Sequence, residues 1–134
     1  MKKSTTASIV AAAALITFTV LPGQTAQAAT TTCTIKVFAQ ECNTGIMPTP
    51  GNVMWTEVRN CYVSGVGSSV RWKLVDIVSR RTVASGTVPW GKQFQKSTTG
   101  LYSEYRLELY DGNPGARGRM LNTNPSWGGG WSNC

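Results

Sequence analysis

The sequence contains no histidine. That removes the commonest general base, the Ser-His-Asp and Cys-His nucleophile systems, and every histidine-based metal site. Acidic side chains are scarce as well, six Asp and Glu against thirteen Lys and Arg. Glycoside hydrolysis needs two carboxylates about 5 to 9.5 Å apart across a cleft. Glu104 and Glu108 share one face of an expected strand and stand about 13 Å apart at ~3.3 Å per residue, which is too far. Helical spacing of apolar residues is missing beyond the first segment, so no helix longer than two turns is expected there, and no internal repeat is present. A chain this poor in acid–base groups reads as non-catalytic, without cofactor or metal.

The one long apolar run lies at the start. Lys2 and Lys3 precede an apolar stretch from Ile9 to Val20, broken by Leu21-Pro22-Gly23, and Ala26-Gln27-Ala28 offers small residues for cleavage. This is the pattern of a secretory signal peptide over residues 1–28, with a bacterial look. The apolar stretch is short for a membrane span. Residues 29–134 then form a single secreted domain, expected as an extracellular monomer. The formal net charge of the whole chain is +7, and it stays positive once Lys2 and Lys3 are removed. That balance suits an anionic partner such as a cell-wall polymer, a phospholipid surface or an acidic protein. Nucleic acid is not expected for an exported chain with modest charge and no binding motif, and membrane contact has no motif of its own.

What is plentiful is strand pattern. Val70, Trp72 and Leu74 alternate with Arg71 and Lys73, and Tyr105, Leu107 and Leu109 alternate with Arg106, Glu108 and Tyr110. Both have the period of a strand with one buried face. Between them lie the β-prone run Thr82 to Val88 and the breaker Pro89-Trp90-Gly91. Val53 to Val58 is apolar on both parities, as a central strand would be, and Trp55 and Trp72 are assigned to the core. Arg117 to Asn122 reads as a last short strand after the turn Asp111-Gly112-Asn113-Pro114-Gly115. About seven strands with turns every ten residues or so describe an all-β fold, a small disulfide-linked antiparallel β-sandwich.

Cys33, Cys42, Cys61 and Cys134 make an even set, expected as two disulfides in an exported chain. If Thr34 to Gln40 is extended, Cys33 and Cys42 stand roughly 30 Å apart. A disulfide needs Cα atoms within about 7 Å, so that pair requires the segment to bend back. Folding Ile35–Phe38 beside Val53–Val63 puts Cys33 opposite Cys61, and Cys42 is then left for Cys134. The other pairing considered is Cys42–Cys61 with Cys33–Cys134.

Cys61 precedes Trp72 by eleven residues, close to the spacing of the strand-B cysteine and strand-C tryptophan in immunoglobulin-like domains. Tyr105-Arg106-Leu107 resembles the tyrosine corner of such domains, although Leu107 stands where a second cysteine belongs. The likeness concerns architecture, and architecture supplies no function.

Binding has more material than catalysis. Trp90, Trp127 and Trp131 sit beside glycine or proline in expected loops, where flat rings can stack on sugars or fill a pocket on a protein. Lys92 lies next to Trp90, and Arg117 and Arg119 precede Trp127. The first expectation is therefore a secreted binding protein that adheres to an anionic or glycan cell-envelope polymer through these residues. The competing readings are an inhibitor of a secreted enzyme, presenting Asn43–Asn52 or Asn122–Trp131 as a disulfide-held loop, and a secreted antimicrobial protein. Trp127 and Trp131 also suit a lid over the end of the sandwich. The row Arg71, Lys73 and Arg106 is either a basic face or is neutralised by Glu104 and Glu108.

Overall fold

Val70, Trp72 and Leu74 leave almost no surface to solvent, and neither do Leu107 and Leu109, because both sets point into the space between two sheets. The computed structural model describes residues 28–49, 51–61 and 67–125. Among the described residues there are nine strands and no helix. They are β1 (Thr30–Thr34), β2 (Cys42–Asn43), β3 (Met47–Pro48), β4 (Val53–Arg59), β5 (Val70–Asp76), β6 (Thr82–Val88), β7 (Gln93–Thr99), β8 (Glu104–Tyr110) and β9 (Arg117–Leu121). One sheet has the order β1-β9-β4-β7, and the other has β2-β8-β5-β6 with β3 also on β8. Every pairing is antiparallel.

The expected sandwich is present, and the two strongest strand patterns are neighbours at its centre. β5 and β8 pair directly, with Trp72 opposite Leu109 and Leu74 opposite Leu107. From the facing sheet Met54, Val58 and Met120 fill the other side of the core. β4 is interior to its sheet, flanked by β9 and β7. Its inward residues, though, are Met54, Thr56 and Val58, so Trp55 points outward and is only half-buried. The core assignment of Trp55 is thereby corrected: mixed apolar parity hid which face was the inner one.

Two glycines make the close packing possible. A Cβ at Gly86 would stand 2.8 Å from Nε1 and 3.0 Å from Cε2 of the Trp72 indole, and one at Gly118 would stand 2.6 Å from Leu109 Cδ1. The indole of Trp72 occupies the space above β6 that a side chain at position 86 would need. Its other neighbour is Phe94, with ring centroids 5.2 Å apart and planes tilted by 32°.

The disulfide expectation is overturned. Cys33 bonds to Cys42, with Cα atoms 5.8 Å apart. Residues 34–41 do not run extended: Ala39 N donates to Lys36 O at 3.0 Å, closing a tight turn, and the chain doubles back from one sheet to the other. β1 pairs with β9 and not with β4, so Cys33 never comes opposite Cys61. Both pairings weighed from the sequence fail on this bond. Cys61 is itself disulfide-bonded, and Cys134 lies outside the described residues.

The strand order is not that of an immunoglobulin domain. In those domains the last strand lies beside the one carrying the tyrosine corner. Here β9 crosses to the opposite sheet, between β1 and β4, and β2 and β3 take the place beside β8.

Two outcomes check this packing. Gly86→Ala should destabilise the protein by about 1–3 kcal/mol, because a methyl is forced against a rigid buried ring, read as a lower urea midpoint at unchanged slope. Peptide mapping of the non-reduced protein should return a Cys33–Cys42 link and place Cys61 with the remaining cysteine.

Candidate functional site

Strand direction decides which loops share an end of the sandwich. Thr34, Arg117, Arg59 and Gln93 form one row across the first sheet, strand by strand. Just beyond that row lie the β1–β2 turn, the start of the β4–β5 connection, the β6–β7 turn and the β8–β9 loop. All four cross from one sheet to the other. Trp90 and Lys92 of the expected site are here, and Arg117 is in the row itself.

Trp90 is held in place and is still open to solvent. Asn60, fully buried after β4, organises its turn: Gly91 N donates to Asn60 O at 2.8 Å, and Asn60 N donates to Lys92 O at 3.0 Å. The Asn60 Nδ2 group donates to Ser68 O at 2.8 Å and to Val88 O at 3.0 Å. A Cβ at Gly67 would fall 1.7 Å from Trp90 Cδ1, so the indole rests against the backbone there. The ring nevertheless remains 44% exposed. Lys92, two residues on, and Arg117, in the adjoining row, are exposed.

Arg119 behaves differently. It lies on the outward face of the first sheet, yet it is buried, and its Nε donates to Glu57 Oε2 at 2.5 Å. Arg59, in the same outward row of β4, donates through Nε to the other Glu57 oxygen at 2.7 Å. Gln95 Nε2 adds a third donor at 3.3 Å. The Glu57 side chain has no exposed surface. This Arg–Glu–Arg cluster directs the charge of Arg119 onto a carboxylate and away from solvent. The sequence reading missed it because an Arg, a Glu and an Arg at alternate strand positions look like a solvated face.

On the outer face of the second sheet the row Arg71, Lys73 and Arg106 is paired with acids, but these are Glu108 and Asp111, where the sequence suggested Glu104 and Glu108. Lys73 Nζ lies 2.9 Å from Glu108, Arg106 pairs with the same carboxylate, and Arg71 pairs with Asp111. Arg71 and Lys73 also stand over the Tyr110 ring, 4.7 and 5.6 Å from its centroid. Burial pushes the Glu108 carboxyl up, but the hydrogen bonds and charges of Lys73 and Arg106 outweigh it and leave the group below its ordinary value. Asp76 is also held low, first by the Ser79 amide and then by the hydroxyls of Ser79 and Ser103 and the Val78 amide. Its carboxylate thus closes the β5–β6 turn.

The loop Asn43–Asn52 is largely consumed by structure. β2 and β3 both pair with β8, and Thr44 exchanges hydrogen bonds with Leu107 through its backbone and hydroxyl. Trp127 and Trp131 lie outside the described residues, as does most of the Asn122–Trp131 segment. Among the described residues no cluster of three or more Cys, Asp or Glu is placed to hold a metal ion, and no helix is long and apolar enough to cross a membrane.

The sequence pattern also overlooked the turn 36–39. Val37 is 68% exposed and Phe38 fully so, with Lys36 exposed next to them. A Pro-free, Gly-free run carries no turn signal, so the sequence alone predicts an extended segment here.

No protein-family model matches the chain, and neither a curated protein nor a solved structure is similar to it.

Two measurements follow from the charges. Glu57→Gln should cost about 3–5 kcal/mol, since it leaves two buried guanidinium groups without their carboxylate, visible in chemical denaturation. Glu108 and Asp76 have folded pKa values below their unfolded ones, so their contribution is complete at neutral pH and is lost as pH falls through the folded values. The melting temperature should hold from pH 7 to about 5 and fall below roughly pH 4, and Glu108→Gln together with Asp76→Asn should flatten that acid limb.

Proposed function

We propose that the protein is a non-catalytic, secreted binding domain that adheres to an anionic or glycan cell-envelope polymer through the loop end of its sandwich. The observation that carries this reading is the half-open indole of Trp90, fixed by Asn60 and Gly67, at an end that also presents Lys36, Lys92 and Arg117. An aromatic ring with few rotamers to lose is an economical contact for a sugar ring or a polymer backbone. Cations spread across this end supply attraction to phosphate or carboxylate groups.

The arrangement of the acids supports the same reading. Glu57, Asp76, Glu108 and Asp111 are each engaged by cations or by turn donors. Glu41 and Glu104 are exposed on different strands or loops. None of these is poised in a cleft as a general acid with a partner base. The inhibitor reading has less support, because Asn43–Asn52 is tied into the second sheet.

Sedimentation with insoluble cell-wall material tests the proposal. Binding should weaken steeply as salt approaches 1 M, where the screening length is about 3 Å. Trp90→Ala should reduce affinity roughly tenfold, the ~1.4 kcal/mol of a modest hot spot, and Arg117→Gln somewhat less, both measured at a temperature where each variant is fully folded. Binding that ignores both salt and Trp90 would overturn it.

A further inference from the structure

The tip of the β1–β2 turn departs from what folding alone would select. Lys36 O accepts from Ala39 N, and Phe38, the third residue of that turn, has φ of 69°. This is the position of a type II turn where glycine or asparagine is preferred. A bulky aromatic side chain is an outlier in the left-handed region. Asn52, Arg80 and Asp111 also adopt positive φ; Asn and Asp tolerate it, and Arg80 is a second long side chain in that region. Phe38 gains nothing from the core in exchange, because its side chain is fully exposed. A strained, exposed aromatic points to a surface that is covered only in a complex.

The tip is also well anchored. Cys33 and Cys42 close the loop at its base. Ile35 is buried, its N donates to Ala116 O at 2.9 Å, and its O accepts from Gly115 N at 2.8 Å. On the return side Gln40 O accepts from Gly112 N at 3.1 Å. Residues 36–39 therefore stand on two fixed feet as a convex knob with Val37 and Phe38 uppermost.

We propose that this knob docks on the surface of an anionic phospholipid bilayer, with Val37 and Phe38 entering the headgroup region and the neighbouring cations meeting the lipid phosphates. Three features select a bilayer. The knob is convex and turned, not extended, so it does not offer the strand that a protease cleft reads. Trp90 protrudes from the same end at the opposite edge of the sandwich, three strand spacings or about 14 Å away, and a planar partner can take both at once. The charge at this end is net positive, since Lys36 and Arg117 are exposed here against the exposed carboxylate of Glu41, and Asp111 is already paired with Arg71. Aromatic tips flanked by basic side chains are the composition of interfacial anchors.

The inference rests on the loop end being the binding surface, and it adds a partner. Co-sedimentation of the full chain with vesicles of phosphatidylglycerol and phosphatidylcholine, and with phosphatidylcholine alone, tests it. The parent should bind the anionic vesicles and bind the neutral ones far more weakly. Phe38→Asn should lower anionic-vesicle binding roughly tenfold, as loss of most of a buried Phe would, while the melting temperature stays level or rises because the turn is relieved. Lys36→Gln should lower it about fivefold. Failure of the parent to bind anionic vesicles, or equal binding by Phe38→Asn, overturns the proposal. If vesicle binding is absent while salt-sensitive, Trp90-dependent binding to cell-wall material persists, the lipid assignment falls and the polymer reading stands.

Discussion

Burial of the Trp72 indole between the sheets is the interaction on which the rest of this structure depends. It stands on β5, the only strand paired with both β6 and β8, and it touches Phe94 from the opposing layer. A fully buried side chain of that size is worth several kcal/mol, a large part of the 5–15 kcal/mol by which small domains are stable. Its position also dictates sequence elsewhere. Gly86 has to lack a side chain beneath the indole, and Gly118 has to lack one so that Leu107 and Leu109 can reach across from β8. The two glycines are in strands, where glycine is otherwise unfavourable.

Charge in this protein is divided by location. On the second sheet, Lys73 and Arg106 share Glu108 at a half-exposed surface, where such pairs contribute little. On the first sheet, Glu57 holds Arg59 and Arg119 with almost no access to water. A buried cluster of this kind is costly to assemble and costlier to break. Three of the six acidic side chains, Glu57, Glu108 and Asp111, are held in ion pairs, and exposed cations such as Lys36, Arg117, Arg80 and Arg81 stand at the two ends of the sandwich. The buried pairing of Arg119 follows from antiparallel registry, which sets it directly opposite Glu57.

The sheets were legible in the sequence because alternation survives translation into structure residue by residue: Val70 to Leu74, Thr82 to Val88 and Tyr105 to Leu109 are strands as read. What was not legible depends on contacts far apart in the chain. The facing of β4 was ambiguous because Trp55 and Glu57 are covered on the outer side as Met54 and Val58 are on the inner one. The Cys33–Cys42 bond was set aside on the premise of an extended segment, and the turn that defeats that premise contains Val37 and Phe38, residues that favour strands. The place of β9 in the first sheet carries no local signal, since a strand pattern does not name its partners. Of the expected site residues, Trp90, Lys92 and Arg117 stand exposed at the loop end, a placement that loop and charge signals suggest. Arg119 has the same signals and a different environment, which only registry with β4 reveals.

The loop end owes its character to the way the sheets are joined. Each of its four connections passes from one sheet to the other, so the base of each loop is held by both layers of the core. Asn60 extends this by bonding to Ser68, Val88, Gly91 and Lys92 together, and the pair Ser68–Asn113 links the middle two loops. A loose loop would relax a positive φ at an aromatic residue within its own flexibility. Here Ile35 is fixed to Ala116 and Gly115, Gln40 to Gly112, and Cys33 to Cys42, so the strain at Phe38 has no such outlet. Rigid feet and an exposed tip are what allow side chains to meet a partner without first being ordered, which lowers the entropic cost of the encounter. The same anchoring explains how a small all-β domain can present a defined surface at one end.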